Sequence, residues 1–232
     1  MNENWKEYYE KEAEYLRFIP SEDILENHRV RLVMKLFLSA MTPSSIIDIG
    51  CGDGYLCSVF KLKGINKVAG MDISAKRVEF SRKTFPGIEF FEGSVYSIPV
   101  EDNSFDLVTA VEILEHIEKP ADAVAELKRI SRKYLLATVP DSEILLDAAC
   151  PHCLKTFKIN GHLNSFNETS FKKIFEEAGF KIVKLKKYTF TSFFDRFPLR
   201  LLPSFIHESL KDFAFKNGII KKGNYLGILA EK

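Results

Sequence analysis

A short apolar run that passes through three alternating glycines constrains the fold of this chain more than any other feature. Residues 45–54 read SIIDIGCGDG, and another largely apolar segment, residues 55–62, follows at once. Glycine adopts backbone conformations that a Cβ disfavours, and it lets a ligand contact main-chain atoms closely. The segment therefore predicts a buried strand, a glycine-rich ligand loop and a helix. A tight turn without a ligand is the alternative interpretation.

The alternation of strand and helix continues along the chain. The hydrophobic pattern predicts strands at 45–50, 67–72, 88–93, 105–113, 133–140, 180–190 and 223–232. It predicts helices at 5–40, 55–62, 74–85, 121–131 and 167–178. Such alternation indicates an α/β fold with a doubly wound parallel sheet and a ligand crevice at the carboxyl ends of its strands. We expect one domain, residues 1–232, whose additions are a helical segment at 1–43, an irregular insertion at 141–166 and a Phe-rich insertion at 191–222.

Composition limits the classes of protein that fit. With 46% hydrophobic and 28% charged residues, the chain has the composition of a soluble globular protein and not of a disordered one. No apolar run reaches the ~18 residues of a membrane span, and the polar amino terminus does not resemble a secretory signal. Four cysteines are too few for a disulfide scaffold. We therefore expect a cytoplasmic protein.

The net charge of +1 hides an uneven distribution. Residues 1–171 carry 20 Lys+Arg and 26 Asp+Glu, a net charge of −6, whereas residues 172–232 carry 13 and 6, a net charge of +7. Eleven of the twenty phenylalanines lie between Phe166 and Phe215. Two interpretations fit this pattern: two differently solvated faces of one domain, or a tail that meets an anionic or hydrophobic partner.

Two acidic residues narrow the choice of ligand. Asp48 precedes the glycines, where a carboxylate repels a pyrophosphate and favours a cationic ligand. Asp72 ends the next predicted strand, where a carboxylate accepts hydrogen bonds from a ribose diol. The spacing G-x-G-x-G also differs from the G-x-G-x-x-G of dinucleotide-binding proteins. These features describe an adenosine-type ligand with positive charge, and a nicotinamide-dependent oxidoreductase is the less favoured alternative.

At this point the chain resembles a known family. The segments IIDIGCGDGYL, VAGMDIS and EGSVYSIPVEDNSFDLVTAVEILEHIEKP resemble successive motifs of class I S-adenosylmethionine (SAM)-dependent methyltransferases of the ubiquinone/menaquinone-biosynthesis type. The resemblance covers residues 44–140 well and residues 160–190 weakly. It implies a Rossmann-like sheet of seven strands, mostly parallel, with the last strand antiparallel. It also implies methyl transfer from SAM to a small-molecule or lipid-like acceptor, which leaves S-adenosylhomocysteine.

The resemblance assigns roles in cofactor binding to individual residues. The residues implied are Asp48 at the ammonium end of SAM, Gly50, Cys51 and Gly52 at its methionine part, Asp72 at the ribose, Ile73, Gly93, Ser94 and Val95 at the adenine, and Val111 and Glu112 beside the sulfonium. The family usually has an aspartate where Ser94 stands, which weakens the assignment of Ser94 to the adenine.

Four residues are candidates for catalysis on the acceptor side. Glu112, Glu115 and His116 leave the fourth strand beside the expected sulfonium, and the resemblance places His162 in the acceptor pocket. The pKa range of histidine suits proton transfer near neutrality. The other interpretation is that these residues only shape the exit of the strand. Because no base is unambiguous, a non-catalytic SAM-binding regulatory module is an alternative function.

A cysteine–histidine segment, CPHCLKTFKINGHLNSF, occupies residues 150–166. Cys150 and Cys153 form half of a zinc-ribbon pattern, and His162 is a possible third zinc ligand. A fourth ligand is not identified. Reduced structural cysteines and a redox pair are the alternatives.

The acceptor and other partners are expected to meet the segments 1–43, 141–166 and 191–222. Aromatic residues of the first segment predict a lid over the cofactor or, equally well, core packing. The phenylalanines and basic residues of 191–215 indicate a hydrophobic cover or a homodimer contact, or alternatively a peripheral membrane or lipid-binding element. No dense basic stripe indicates nucleic-acid binding. A monomer or a homodimer is compatible with the sequence.

Overall fold

The computed structural model describes residues 3–15, Val30, 33–38, 41–188 and 225–232. The strands in these ranges are β1 (Ser45–Ile49), β2 (Lys67–Asp72), β3 (Glu89–Glu92), β4 (Phe105–Val111), β5 (Ser131–Pro140), β6 (Asp147–Ala149), β7 (Thr156–Lys158), β8 (Lys181–Tyr188) and β9 (Tyr225–Glu231). Seven of them form one sheet in the order β3-β2-β1-β4-β5-β9-β8, and β6 and β7 form a separate antiparallel pair.

Strand directions confirm the predicted sheet. β1 pairs in parallel with β2 and β4, β2 with β3, and β4 with β5. The last strand, β9, lies between β5 and β8 and is antiparallel to both. The mostly parallel seven-stranded sheet with an antiparallel last strand is therefore as expected.

Helices cover both faces of the sheet, because the strands are apolar on both sides. The helices are α1 (Glu3–Tyr15), α2 (Tyr55–Leu62), α3 (Ala75–Thr84), α4 (Pro120–Ile130) and α5 (Glu168–Glu177). Residues of α4 and α5, such as Leu127 and Phe171, belong to one buried cluster, and residues of α2 and α3, such as Phe60 and Val78, belong to another. Short turns of other helix types lie at Met34–Leu38, Leu114–His116 and Ile159–Gly161.

Helix starts follow the capping residues of the sequence. The Ser74 hydroxyl accepts the Arg77 N–H at the start of α3, and Asn167 forms a capping box with Ser170 at the start of α5. These caps fix where the two helices begin, and α3 begins directly beyond the carboxyl end of β2.

The single helix expected at 5–40 is tested only in part, since Glu3–Tyr15 is α-helical and Met34–Leu38 forms a π-helical turn, whereas residues 16–29 lie outside the described residues. One other sequence-based expectation differs from the structure. The insertion 141–166 is not wholly irregular, because it contains the hairpin of β6 and β7. The Phe-rich insertion 191–222 lies outside the described residues. In the described ranges, no helix has the length and apolar content needed to cross a bilayer.

Candidate functional site

The glycine loop after β1 depends on backbone conformations that favour glycine, and it is closely packed at Gly50. Gly50 and Gly52 have φ angles of 74° and 54°, in the left-handed region that favours glycine. A Cβ at Gly50 would lie 2.3 Å from the Cγ2 atom of Ile113. The backbone N–H groups of Gly50 and Cys51 both donate to the carbonyl of Met71, at 2.8 and 3.0 Å. The loop is thereby held against the ends of β2 and β4.

Asp72 lies beside this loop with its carboxylate fixed from two sides. Its Oδ2 atom accepts the Gly52 N–H at 2.8 Å, and its Oδ1 atom accepts the Ser74 N–H at 2.9 Å. Burial raises the pKa of Asp72, and these two donors oppose the shift. Only 8% of the residue is exposed, so the carboxylate is oriented before any ligand arrives.

A cleft opens at the glycine loop, and we call it the glycine-loop cleft. Most of the residues predicted to bind the cofactor line it or the cleft next to it. Those that line the glycine-loop cleft are Gly50, Gly52, Asp72, Ile73, Gly93, Val95 and Glu112, and Val111 lines the adjoining cleft.

Three other predicted cofactor residues do not line either cleft. Asp48 is buried at 4% exposure, and its Oδ1 atom accepts the Thr109 hydroxyl at 2.6 Å. The side chain of Cys51 belongs to the buried cluster beneath the loop. The Ser94 hydroxyl accepts the Tyr96 N–H at 3.3 Å. These three side chains therefore contact other protein groups near the strand ends and do not line the clefts.

The helix α1 closes one side of the glycine-loop cleft with Tyr9, one of the aromatic residues expected to form a lid, and with Glu12, which the sequence alone does not single out. Arg77 holds the helix there, since its guanidinium pairs with Glu12 and with Asp53, each at 3.0 Å. The Glu10 carboxylate accepts the Ala75 N–H at 2.5 Å, at the amino terminus of α3. These contacts connect α1 to the loop–helix unit of the cleft. No local motif marks them, because the two segments are more than 60 residues apart.

A second cleft, the histidine cleft, adjoins the first. The two clefts share five residues: Glu12, Gly50, Arg77, Glu112 and His116. Among the shared residues, Glu112 has a positive φ of 56° and accepts the Thr138 hydroxyl at 2.6 Å. A strained non-glycine residue at a cleft is a pointer to function.

Three of the predicted catalytic residues come together in the histidine cleft. One potential ligand atom from each of Glu115, His116 and His162 lies within 4.8 Å of the others. The two imidazole rings meet edge to face, with centroids 4.6 Å apart. Burial, reinforced by the neighbouring His162, lowers the pKa of His116 to about 4, so its ring is neutral at pH 7.

Backbone hydrogen bonds bring these distant segments together. The carbonyl of Glu115 accepts the N–H groups of Leu163 and Asn164, at 2.7 and 3.0 Å. The Asn164 side chain donates to the carbonyl of Ile117 at 2.5 Å. The segment after His162 is therefore clamped onto the turn that carries Glu115.

The predicted trio Cys150, Cys153 and His162 is not formed in the described part of the chain. His162 is clamped beside Glu115, whereas the cysteines lie in the loop between β6 and β7. Backbone N–H groups of His152 and Cys153 lower the pKa of the Cys150 thiol. Both cysteines are free thiols, and no described residue completes them as a three-ligand site.

Comparison with known proteins supports this description of the fold. A family model described as a methyltransferase domain matches residues 16–185, which is more than half of the chain. The chain belongs to the SAM-dependent methyltransferase family. A solved SAM-dependent methyltransferase from Mesorhizobium loti has the same fold, with a TM-score of 0.63 at 15% identity over 91% of this chain and 99% of that one.

Two curated relatives of this methyltransferase carry names from quinone biosynthesis. Demethylmenaquinone methyltransferase of Chlorobaculum tepidum is 36% identical over 86 residues, which cover 37% of this chain and 35% of the relative. Ubiquinone biosynthesis O-methyltransferase of Paracidovorax citrulli is 32% identical over 99 residues, 40% of this chain and 41% of the relative. The chain thus spans well under two thirds of the length of either protein.

The SAM expected by the family fits the glycine-loop cleft. Gly50 and Gly52 line the cleft, and Asp72 presents a fixed carboxylate there. Neither the glycine conformations nor this carboxylate conflicts with a ligand that has a ribose and a positive charge.

Proposed function

We propose that this chain transfers a methyl group from SAM to a small aromatic acceptor of the quinol or phenol class, which occupies the histidine cleft. The observation that carries the proposal is the junction of the two clefts at Gly50, Glu112 and His116. A cofactor in the first cleft and an acceptor in the second would meet at that junction. The names of the two quinone-pathway relatives support the acceptor class.

In this proposal, the glycine-loop cleft orients the cofactor. Asp72 accepts hydrogen bonds from the ribose hydroxyls, and Ile73 and Val95 pack on the adenine. Glu112 borders the position of the sulfonium. When bound, SAM supplies a methyl group on a positively charged sulfur, and the carboxylates of Glu112 and Asp72 favour that charge.

The helix α1 and the histidine cleft complete the site. Methyl transfer needs the accepting atom in line with the methyl group, with water kept out. Tyr9 covers the junction of the clefts, and its ring lies 6.1 Å from that of His116, edge to face. The acceptor would therefore be enclosed between α1 and the segment that contains His162.

Calorimetric titration with SAM tests the cofactor assignment. Asp72→Ala is expected to weaken SAM binding by about 1–3 kcal/mol, a factor of roughly 5 to 150, because charged hydrogen bonds to the ribose are lost. Asp102→Ala is the matched control, since Asp102 is an exposed carboxylate that pairs with Arg129 away from the clefts. Unchanged affinity in Asp72→Ala would overturn the ribose assignment.

Turnover tests the enzymatic part. The wild-type chain is incubated with SAM and a panel of catechols, hydroquinones and demethylated quinols, and S-adenosylhomocysteine and the methylated product are measured by mass spectrometry. Product with at least one acceptor is expected. SAM binding without turnover on any acceptor would favour the regulatory module, and binding of NADH but not SAM would favour an oxidoreductase.

A further inference from the structure

We propose that Glu115, His116 and His162 bind one divalent transition-metal ion in the histidine cleft. In the described ranges, these three residues form a group in which each side chain offers one potential metal-ligand atom, and these atoms all lie within 4.8 Å of one another. Two imidazoles and one carboxylate form a common ligand set for such ions.

The outer contacts of both histidines fit a metal site. The Nδ1 atom of His162 contacts the carboxylate of Glu143, and the Nδ1 atom of His116 lies 3.3 Å from the carbonyl of Gly161. Histidines that bind a metal through one ring nitrogen typically donate the other N–H to a carboxylate or a backbone carbonyl. The Nε2 atom of each ring is thereby left as the ligand atom, and each ring is held in orientation.

The three residues are positioned before an ion arrives. Glu115 is only 1% exposed, and its own carbonyl accepts the N–H groups of Leu163 and Asn164. The segment that carries His162 is therefore tied to the residue that supplies the carboxylate. Ligands on a fixed framework bind a metal with little loss of conformational entropy.

The charges in the cleft favour a cation. Carboxylates of Glu12, Glu112, Asp141 and Glu143 line it together with the proposed ligands, and Arg77 is the basic residue in the same lining. Arg77 already pairs with Glu12 and Asp53, and Lys187 pairs with Asp141. A divalent ion would offset the acidic charges of the cleft that these two basic residues do not.

The ligand set also limits which ion fits. Imidazole nitrogens suit Zn²⁺, Co²⁺ or Fe²⁺, whereas Mg²⁺ and Ca²⁺ prefer oxygen ligands. Three protein ligands leave coordination positions open toward the cleft. An acceptor with one or two oxygen atoms would bind there, and this role of the ion rests on the proposed function, whereas the binding of the ion does not.

Metal titration of the full chain tests the site. The parent protein carries Cys150→Ser and Cys153→Ser, so that thiols bind no metal, and it is treated with a chelator and dialysed. Zn²⁺ binding is measured by calorimetry, and Co²⁺ binding by its visible absorption. We expect one ion per chain, with affinity at least tenfold lower in His162→Ala, His162→Gln and Glu115→Gln. His152→Ala is the matched control, because His152 is an exposed histidine outside the cluster.

Each outcome decides the proposal. It is supported if the parent binds one ion, the three cluster variants lose affinity and His152→Ala does not. It is overturned if the folded parent binds no Zn²⁺ or Co²⁺, or if both His162 variants bind as the parent does. Circular dichroism checks folding, and the two His162 variants decide if Glu115→Gln does not fold. SAM affinity is measured in every variant, so that a failure of the cofactor assignment is seen separately from a failure of the metal site.

Discussion

The two adjoining clefts are built in different ways. The glycine-loop cleft lies where the parallel strands β1, β2, β3 and β4 terminate at one edge of the sheet, and α1 closes one of its sides. The histidine cleft is formed by side chains from segments that are far apart in sequence, such as His116 and His162. Sheet topology fixes the first, whereas a few hydrogen bonds between loops fix the second.

This difference teaches where each kind of specificity resides. A cleft at the carboxyl ends of strands is a general feature of open α/β sheets and suits a cofactor shared by many proteins. Side chains on an insertion vary without disturbing the sheet, so they suit an acceptor that differs between relatives. We therefore expect substitutions in the two clefts to affect different properties.

The largest effect is expected from filling the glycine loop. Gly50→Ala combines a positive φ with a Cβ that would lie 2.3 Å from Ile113, so it should lower the free energy of unfolding by about 2–5 kcal/mol. Gly64→Ala is the control, since Gly64 has a φ of 83° but no atom within 4 Å of an added Cβ. Its expected loss is about 1–2 kcal/mol, from the backbone conformation alone. Urea unfolding measures both, and equal losses would contradict the close packing described here.

A smaller effect is expected from loosening the clamp of the histidine cleft. Asn164→Ala removes the hydrogen bond to the carbonyl of Ile117 and should lower stability by about 1–3 kcal/mol. Zn²⁺ affinity should fall by roughly tenfold, as for other outer contacts of metal ligands. SAM affinity should stay within about twofold, because the first cleft does not depend on this contact. Asn66→Ala, an exposed asparagine before β2, is the control. A parallel loss of SAM affinity would show that the two clefts are not independent.

The smallest effect is expected away from both clefts, at Asp106 in β4. The Ser44 hydroxyl donates to its carboxylate, as do the N–H groups of Ser44 and Ser45, and Arg132 pairs with it. These contacts lower the pKa of Asp106 to about 2. A lowered carboxyl pKa stabilises the fold above the unfolded-state value of about 4, and this stability is lost as the pH falls toward 2.

Because Asp106 is partly exposed, we expect a loss of only about 1–2 kcal/mol. Urea unfolding at pH 5 and at pH 2.5 measures it, in the wild type and in Asp106→Asn. The variant should be less stable at pH 5 and should lose less stability on acidification. If the two proteins lost the same stability between pH 5 and pH 2.5, Asp106 would not be a cause of the acid sensitivity of the fold.

Much of the cofactor side was predictable from sequence. The strand at 67–72 and the helix at 55–62 were placed correctly, and Asp72 lies in the cleft as expected. The role of Asp48 at the ammonium end of SAM stays a prediction, and the structure shows that the Thr109 hydroxyl donates to its buried carboxylate. An acidic residue at a strand end indicates that its carboxylate has a polar partner. The sequence does not tell whether that partner is a ligand or a residue of a neighbouring strand.

The histidine cleft was predictable only in its residue types. Sequence analysis named Glu115, His116 and His162 as candidates on the acceptor side, and it also considered His162 as a third zinc ligand beside Cys150 and Cys153. The structure instead pairs His162 with Glu143 and ties Leu163 to Glu115. Glu12 and Arg77 had no recognisable signal, because their contacts join segments that are distant in sequence.

The sequence by itself determined the family, the alternation of strands and helices and the glycine loop. Each of these depends on local conformational preference and on hydrophobic periodicity, and both are properties of residues that are close together in the sequence. Only the tertiary structure decided which side chains meet across the loops. Such meetings depend on hydrogen bonds like that from Leu163 to Glu115, and these form only when the sheet has brought both ends together.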